Sequence, residues 1–258
     1  MQKVIYQDLG RMEYKEAWDY QESLLQENVR LKAEARERAG ALAEAGGVEP
    51  ATRHYLLFVE HPPVYTLGKS GHMENLLIGE ERLAERGATF YRSNRGGDIT
   101  FHGPGQLVGY PILDLEKFYT DIGRYLRNVE EVGIRVLADY GIEGVRSAGE
   151  TGVWIGPDEK GGARKICAIG VRCSRWVTMH GMAFNVDTDL SYFGDIIPCG
   201  IADKEATSLA KELGYSVDLG EVKAKWVRRF EEVFGAAVVN EGGALAPGGG
   251  QVIKNLSE

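Results

Sequence analysis

The clearest hydrophobic pattern lies at 121–140, where Ile122, Leu126, Val129, Val132, Val136 and Leu137 recur at helical spacing behind Thr120 or Asp121 as an N-cap. A second helix is expected over 13–45, a proline-free run of Ala, Glu, Leu, Lys and Arg with Tyr14, Ala17, Trp18, Leu24, Leu25 and Leu31 roughly on one face. Gly46-Gly47 would end it, and the charge from Asn28 onward predicts a part that projects into solvent. Residues 79–86, 203–213 and 219–234 also read as helices. Strands are expected at Val4-Ile5-Tyr6 before a turn at Gly10, at the continuous apolar run 55–59, at 64–67 after Pro62-Pro63, and at 88–92 and 107–113. A glycine-rich loop would join the last two. Residues 152–156 and 163–173 read as a hairpin, and 176–186 as a strand with a turn near Gly181.

These elements mix without regular βαβ alternation, so the fold class is α/β or α+β, a mixed β-sheet flanked by helices. One domain is expected over 1–240, with a flexible glycine-rich tail over 241–258. At 258 residues, 43% hydrophobic and 26% charged, the chain is globular in composition. Its formal charge of −8 argues against a nucleic-acid partner. No run approaches the ~18 apolar residues of a membrane helix, and the first residues lack the apolar core of a signal peptide, so the expected location is cytoplasmic. Three cysteines are too few for a disulfide scaffold.

Four groups of residues could carry chemistry. Arg95-Gly-Gly-Asp-Ile-Thr-Phe-His-Gly-Pro-Gly-Gln106 packs four glycines into a short stretch, without the Lys-Ser/Thr of a phosphate loop or the spacing of a dinucleotide fingerprint. It is either a cluster of turns or a ligand-facing loop, and Arg95 and His102 favour the ligand. In the strand around Ala163 to Cys173, Lys165 shares a face with Cys167, Ile169, Val171 and Cys173. Such an amine either snorkels to water or is desolvated, and a desolvated amine exchanges protons nearer neutrality. The other two cysteines of the chain read as small core hydrophobes, whereas Cys199 sits between Pro198 and Gly200, where a thiol can be both positioned and reachable. Finally, Lys160, Arg164, Lys165, Arg172 and Arg175 form a basic stretch with no acidic residue through Val186, either a docking patch or a solvated strand edge. The histidines show no metal-binding spacing. His180 is expected to satisfy a local backbone bond, and His61, ahead of two prolines, to orient a loop or line a pocket.

Taken together, the motifs resemble those of the lipoyl(octanoyl) transferases. They are Glu60-His-Pro-Pro-Val-Tyr-Thr-Leu-Gly68, the Arg95–Gln106 glycine loop, Gly152-Val-Trp154, Arg164-Lys165-Ile166 with Ala168-Ile-Gly170, Thr178-Met-His-Gly-Met-Ala-Phe-Asn-Val186, Ile197-Pro-Cys-Gly200 and Thr207-Ser-Leu209. The resemblance implies the fold of biotin and lipoate protein-ligase catalytic domains, with Cys199 as the acyl-thioester nucleophile and Lys165 as its proton partner. It implies a substrate site built from Arg95, Gly96, Gly97, Asp98, Ile99, Thr100, Phe101 and His102, from Ala168, Ile169 and Gly170, and from Gly181, Met182 and Ala183. Neither ATP nor a metal is expected. The implied donor is octanoyl-acyl carrier protein, and the implied acceptors are lipoyl domains of 2-oxoacid dehydrogenase E2 subunits and the glycine-cleavage H protein, served by a monomer. The alternatives are an ATP-dependent lipoate or biotin ligase of the same fold and a non-catalytic acyl-carrier-binding module.

Overall fold

The computed structural model describes residues 1–41, 51–197, 205–240 and 243–244. In chain order the elements are β1 (Gln2–Arg11), α1 (Tyr14–Ala41), β2 (His54–Glu60), β3 (Val64–Leu67), α2 (Glu80–Glu85), β4 (Thr89–Arg92), β5 (Ile99–His102), β6 (Gln106–Ile112), α3 (Ile122–Ala138), β7 (Val153–Ile155), β8 (Arg164–Ser174), β9 (Val177–Asn185), β10 (Glu205–Ala206), α4 (Leu209–Leu213), α5 (Leu219–Phe234), β11 (Ala236–Asn240) and β12 (Gly243–Ala244). Among the described residues, nine strands form a mixed sheet in the order β10-β8-β9-β6-β2-β1-β11-β12, with β7 on β8. Strands β4, β3 and β5 form a second, smaller sheet. The β8–β9 hairpin runs in antiparallel register from Cys167 opposite Phe184 to Ser174 opposite Val177.

The apolar run of β2 is buried along its whole length because the sheet is covered on both faces. On one face Leu56, Phe58, Leu107, Met182 and Phe184 pack under α3 and α5. The stripe of α3 predicted from its spacing is the face that buries Val129, Val132, Val136 and Leu137, and Asp121 caps the helix by accepting from Arg124 N–H at 2.9 Å. Helix α1 covers the other face, where Ala17 and Leu25 meet Tyr55, Leu57, Val108, Tyr110, Met179 and Ala183.

Several expectations are corrected. The second half of α1 does not project into solvent: Asn28, Lys32 and Ala35 are buried. Lys32 Nζ lies 2.5 Å from the buried Asp114 carboxylate and donates to Arg175 O at 2.8 Å, so a charge that looked solvated is a tie across the fold. Strand β1 runs through Gly10, whose φ of +63° falls where the pairing with β2 shifts register, so this glycine makes an irregularity and not a chain reversal. Strand β5 lies inside the expected glycine loop, and β9 passes through Gly181 without turning. The region expected as a helix over 203–213 holds the short strand β10 before α4, with 203–204 outside the described residues. In the tail, Gly243–Ala244 pairs with β11. Gly46-Gly47 lies outside the described residues.

Candidate active site

A cavity of about 510 Å³ lies beside β8 and β9, within the usual range for small-ligand sites. Strand β8 brings Lys165 to it. The local sequence makes this position: Gly152 and Trp154 sit on the chain beside Lys165, in the loop ahead of β7 and in β7 itself, and Trp154 pairs with Lys165 in the sheet. A side chain at Gly152 would come within 2.7 Å of Cys167 O and 3.4 Å of Lys165 Cε, so glycine leaves room for the lysine stem. The Lys165 ammonium then stands 4.5 Å from the centre of the buried Trp154 ring, a cation–π contact. Lys165 is half-buried, between the snorkelling and desolvated alternatives.

The start of β8 is held by charge. Arg164 donates two bonds to Glu212, at 2.6 and 2.7 Å, and two to Asp158, at 3.0 and 2.9 Å. These bonds hold the Glu212 carboxyl below the usual carboxylate range. Thr207 N–H donates to Lys165 O at 2.9 Å, and Thr207 Oγ1 donates to Glu212. From Thr207 a hydrogen-bonded chain crosses the sheet. Asn185 Nδ2 donates to Thr207 O, Gln106 Nε2 donates to Asn185 Oδ1, and Gln106 Oε1 faces His102 Nδ1 at 2.9 Å. Because Gln106 Nε2 also donates to Phe101 O, its Oε1 is the acceptor, and His102 carries its proton on Nδ1. The glycine loop and the lysine strand are thereby one framework.

Most residues expected at the site line this cavity: Lys165, residues 95–100, His102, residues 168–170 and residues 181–183. Two do not. Phe101 alternates away and stacks on Tyr192, with ring centroids 4.4 Å apart, in the core behind the small sheet. His61 is fully buried behind the cavity, between Met12 O and Tyr110 OH, each 2.7 Å away. Burial pushes the His61 imidazole down to about 4. Cys199 lies outside the described residues, as does the rest of 198–204. On the near side Ile197 N–H is bonded to Asn75 O, and on the far side Glu205 pairs with Arg164, next to Lys165.

Other readings also change. The basic stretch is not a continuous docking face. Arg164 is buried against Glu212 and Asp158, Arg172 is paired with Glu22, Lys160 Nζ donates to Glu212 O, and Lys165 opens on the cavity. Cys167 is buried, and desolvation pushes its thiol up, whereas Cys173 is exposed and not a core residue. Gly170 and Gly181 pair in mid-strand. Val171 O accepts from Gly96 N–H on the open edge of β8, so strand alternation points the Gly170 N–H at β9 and away from a ligand.

Tyr14, Tyr110, His180 and Asn185 line the cavity as well, and sequence reasoning missed them. His180 does not make the expected local bond: its Nε2 lies 2.7 Å from Asn94 Oδ1, far away in sequence. Its one sequence signal is a polar ring before glycine, between Met179 and Met182, in a mostly apolar strand. Tyr14 belongs to the predicted apolar face of α1, and only the chain's return brings it against Ser93 and His102. Among the described residues no three His, Cys, Asp or Glu side chains group as metal ligands.

Residues 13–231 match the family model of the lipoyl protein ligase A/B catalytic domain. The chain is 57% identical over 238 residues to an octanoyltransferase of Flavobacterium johnsoniae, covering 92% of this chain and 99% of that protein. It is 50% identical over 237 residues to an octanoyltransferase of Cytophaga hutchinsonii, covering 92% and 95%. Among solved structures, the bipartite lipoate protein ligase of Thermoplasma acidophilum superposes with a TM-score of 0.65 at 16% identity over 93% of this chain and 87% of that one. A lipoate-protein ligase A bound with ATP gives 0.59 at 15% identity over 93% and 89%. At such identities the structures establish a shared fold, the one expected from the sequence, and the closer sequence relatives establish the branch. The chain belongs to the lipoyl protein ligase A/B catalytic-domain family and, within it, to the octanoyltransferases.

Proposed function

We propose that this acyltransferase moves an octanoyl group from acyl carrier protein to a lysine of a lipoyl domain through a thioester on Cys199. In the first half-reaction Lys165 takes the Cys199 proton, and the thiolate attacks the carbonyl carbon of the donor thioester. The negative charge on the tetrahedral oxygen would be met by backbone N–H groups, with those on the open edge of β8 near Ile169 as candidates. The C–S bond to the carrier breaks, and the proton held by Lys165 passes to the leaving thiol. In the second half-reaction the acceptor lysine amine attacks the same carbonyl, an amide forms, and the Cys199 thiol is restored. Thioester exchange is nearly isoenergetic and amide formation is downhill, so the scheme requires neither nucleotide nor metal. The acceptors would be lipoyl domains of 2-oxoacid dehydrogenase E2 subunits and the glycine-cleavage H protein, met in the cytoplasm. No helix among the described residues is long and apolar enough to cross a membrane.

The observation that carries the reading is the position of Lys165. Its amine stands over Trp154 and lines the same cavity as Ala168, Ile169, Met182 and Ala183, apolar residues that would bury parts of an acyl chain. Each buried methylene contributes ~0.8 kcal/mol to holding such a chain. Intact-mass analysis of the protein after incubation with octanoyl-acyl carrier protein, without nucleotide, tests it. One octanoyl adduct on Cys199, absent in Cys199→Ser and sharply reduced in Lys165→Met, is expected. An adduct that forms only with ATP, or that survives in Cys199→Ser, would refute it.

A further inference from the structure

The loop that leads into β7 is anchored on a carboxylate that the proposed mechanism leaves unused. Glu130 sits on the inward face of α3, and its side chain is fully buried. Its Oε1 accepts the Gly152 N–H at 3.0 Å. Its Oε2 accepts from Arg146 Nε at 3.0 Å and from Arg127 Nη1 at 2.7 Å. Both ends of the loop, Arg146 and Gly152, are therefore tied to one side chain. Val145 and Trp154 close the loop from outside, exchanging backbone bonds of 2.8 and 2.9 Å. Further along α3, Gly133 lets the helix approach β7, since a Cβ there would lie 3.0 Å from Val153 Cγ2. A carboxylate is retained at such depth only when its oxygens are bonded, and here three donors satisfy it.

The segment that Glu130 holds is the wall of the lysine site. Gly152 has a φ of +135°, and a Cβ there would lie 3.4 Å from Lys165 Cε and 3.6 Å from Lys165 Cδ. Two residues on, Trp154 carries the ring that lies 4.5 Å from the Lys165 ammonium. A shift of Gly152 thus moves both the surface against which the lysine stem lies and the approach to the ring under its charge. The stem has four rotatable carbons and little of its own to fix it. Burial pushes the Cys167 thiol up, the Glu130 charge adds to this and the Lys165 charge opposes it, so both charges act on one point of β8.

We infer that Glu130 is a positioning residue for Lys165: by holding Gly152 it fixes the wall beside the lysine stem and so keeps the ammonium where Cys199 can exchange a proton with it. The inference rests on the proposed function, in which Lys165 and Cys199 share that proton. A thiol beside an ammonium ionises at lower pH than a free thiol, so a displaced ammonium is felt at the sulfur. Displacements of ~1 Å caused by a residue away from the chemistry are enough to slow a reaction strongly. The arginines on Glu130 are partly exposed, with side chains 48% and 36% accessible for Arg127 and Arg146, so they can turn to water when the carboxylate is removed. The Gly152 bond has no such substitute, because Gly152 is buried.

The test reads the pH midpoint of Cys199 alkylation by iodoacetamide, followed by peptide mass analysis so that Cys167 and Cys173 are scored separately. Lys165→Met and Glu130→Leu should each raise the midpoint by about one pH unit or more, leaving ~10-fold less thiolate at neutral pH. The double variant should match Lys165→Met alone, because Glu130 acts through the lysine. Glu130→Gln, which keeps a carbonyl oxygen for the Gly152 N–H, should stay near the parent value. Glu130→Asp keeps the charge for the arginines but draws the acceptor back from Gly152, and it carries the same expectation as Glu130→Leu should that variant fail to fold. A merely structural carboxylate would change the unfolding midpoint and leave the alkylation midpoint unmoved. An unmoved alkylation midpoint in folded Glu130→Leu or Glu130→Asp, or a double variant whose rise is the sum of the two single ones, overturns the inference. A parent midpoint at that of an ordinary thiol, unchanged in Lys165→Met, refutes the proton exchange of the proposed function, and the inference falls with it.

Discussion

Replacing Lys32 tests whether the far half of α1 is a structural part of the fold. Its side chain is 2% exposed and that of Asp114 is fully buried. Lys32 Nζ meets Asp114 Oδ1 at 2.5 Å, Glu116 Oε2 at 3.0 Å and Arg175 O at 2.8 Å. Asp114 also accepts from Thr52 Oγ1 at 3.0 Å, and its own N–H donates to His54 Nδ1 at 3.2 Å. Lys32→Met keeps the length of the stem and leaves a buried carboxylate without its cation, a change that typically costs ~3–5 kcal/mol. Two features should limit the loss: Thr52 still donates to Asp114, and Arg175 O lies on an exposed hairpin tip where water can replace the ammonium. The expected destabilisation is therefore about 3 kcal/mol. Removing both charges in Lys32→Met with Asp114→Leu should cost less than the sum of the two single changes, because no orphaned charge remains. Urea denaturation of the four proteins, followed by fluorescence of the chain's tryptophans, measures the cycle. The reasoning fails if Lys32→Met costs under ~1 kcal/mol, the range of a solvated surface pair.

Acid should weaken the fold before its carboxylates titrate. Burial lowers His54 and His61 from 6.5 to about 4 and His180 to about 3, and pushes His102 in the same direction. The unfolded chain therefore takes up protons near pH 6.5 that the folded chain refuses, so this stability is full above 6.5 and is lost as pH falls toward 4. Each such histidine contributes a slope of up to ~1.4 kcal/mol per pH unit in that window. Denaturation at pH 7.5 and 5.5 checks it, and equal stabilities would contradict the burial of these rings. A second outcome concerns Gly181→Ala. A methyl there would lie 2.2 Å from Gly109 O, a backbone atom of β6 that cannot swing aside. A loss of ~1–3 kcal/mol is expected together with a marked fall in octanoyl transfer, measured by denaturation and by acceptor modification. Full activity in Gly181→Ala would mean that the β6–β9 approach is looser than described.

Local patterns in the sequence specify the elements whose stabilising contacts are themselves local. The apolar run of β2, the helical spacing of α5, the N-cap and stripe of α3, and the β7–β8 hairpin each depend on neighbours a few residues away. Failures came where partners lie far off in sequence. Lys32 looked like a solvated charge because Asp114, which makes its burial affordable, is supplied by the chain after β6. The basic stretch dissolves largely for the same reason, since Glu212 and Glu22 arrive from α4 and α1, with only Asp158 close by in sequence. Strand β5 was hidden because glycines on either side masked a four-residue strand that is stabilised by pairing with β3. At the site, the glycine loop and the Lys165 strand were recognisable as types of residue out of place in their surroundings. His180 was not, because a left-handed residue inside a strand leaves no mark on hydrophobic periodicity.

The central claim is that the acyl group rests on the enzyme between donor and acceptor. The direct measurement is to load the protein from octanoyl-acyl carrier protein, purify it away from the carrier, and mix it with a lipoyl domain in the absence of nucleotide. The account predicts that the adduct leaves the enzyme at the rate at which a hydroxylamine-resistant octanoyl amide forms on the domain. A loaded enzyme that is inert toward the domain until carrier or ATP is added would contradict it.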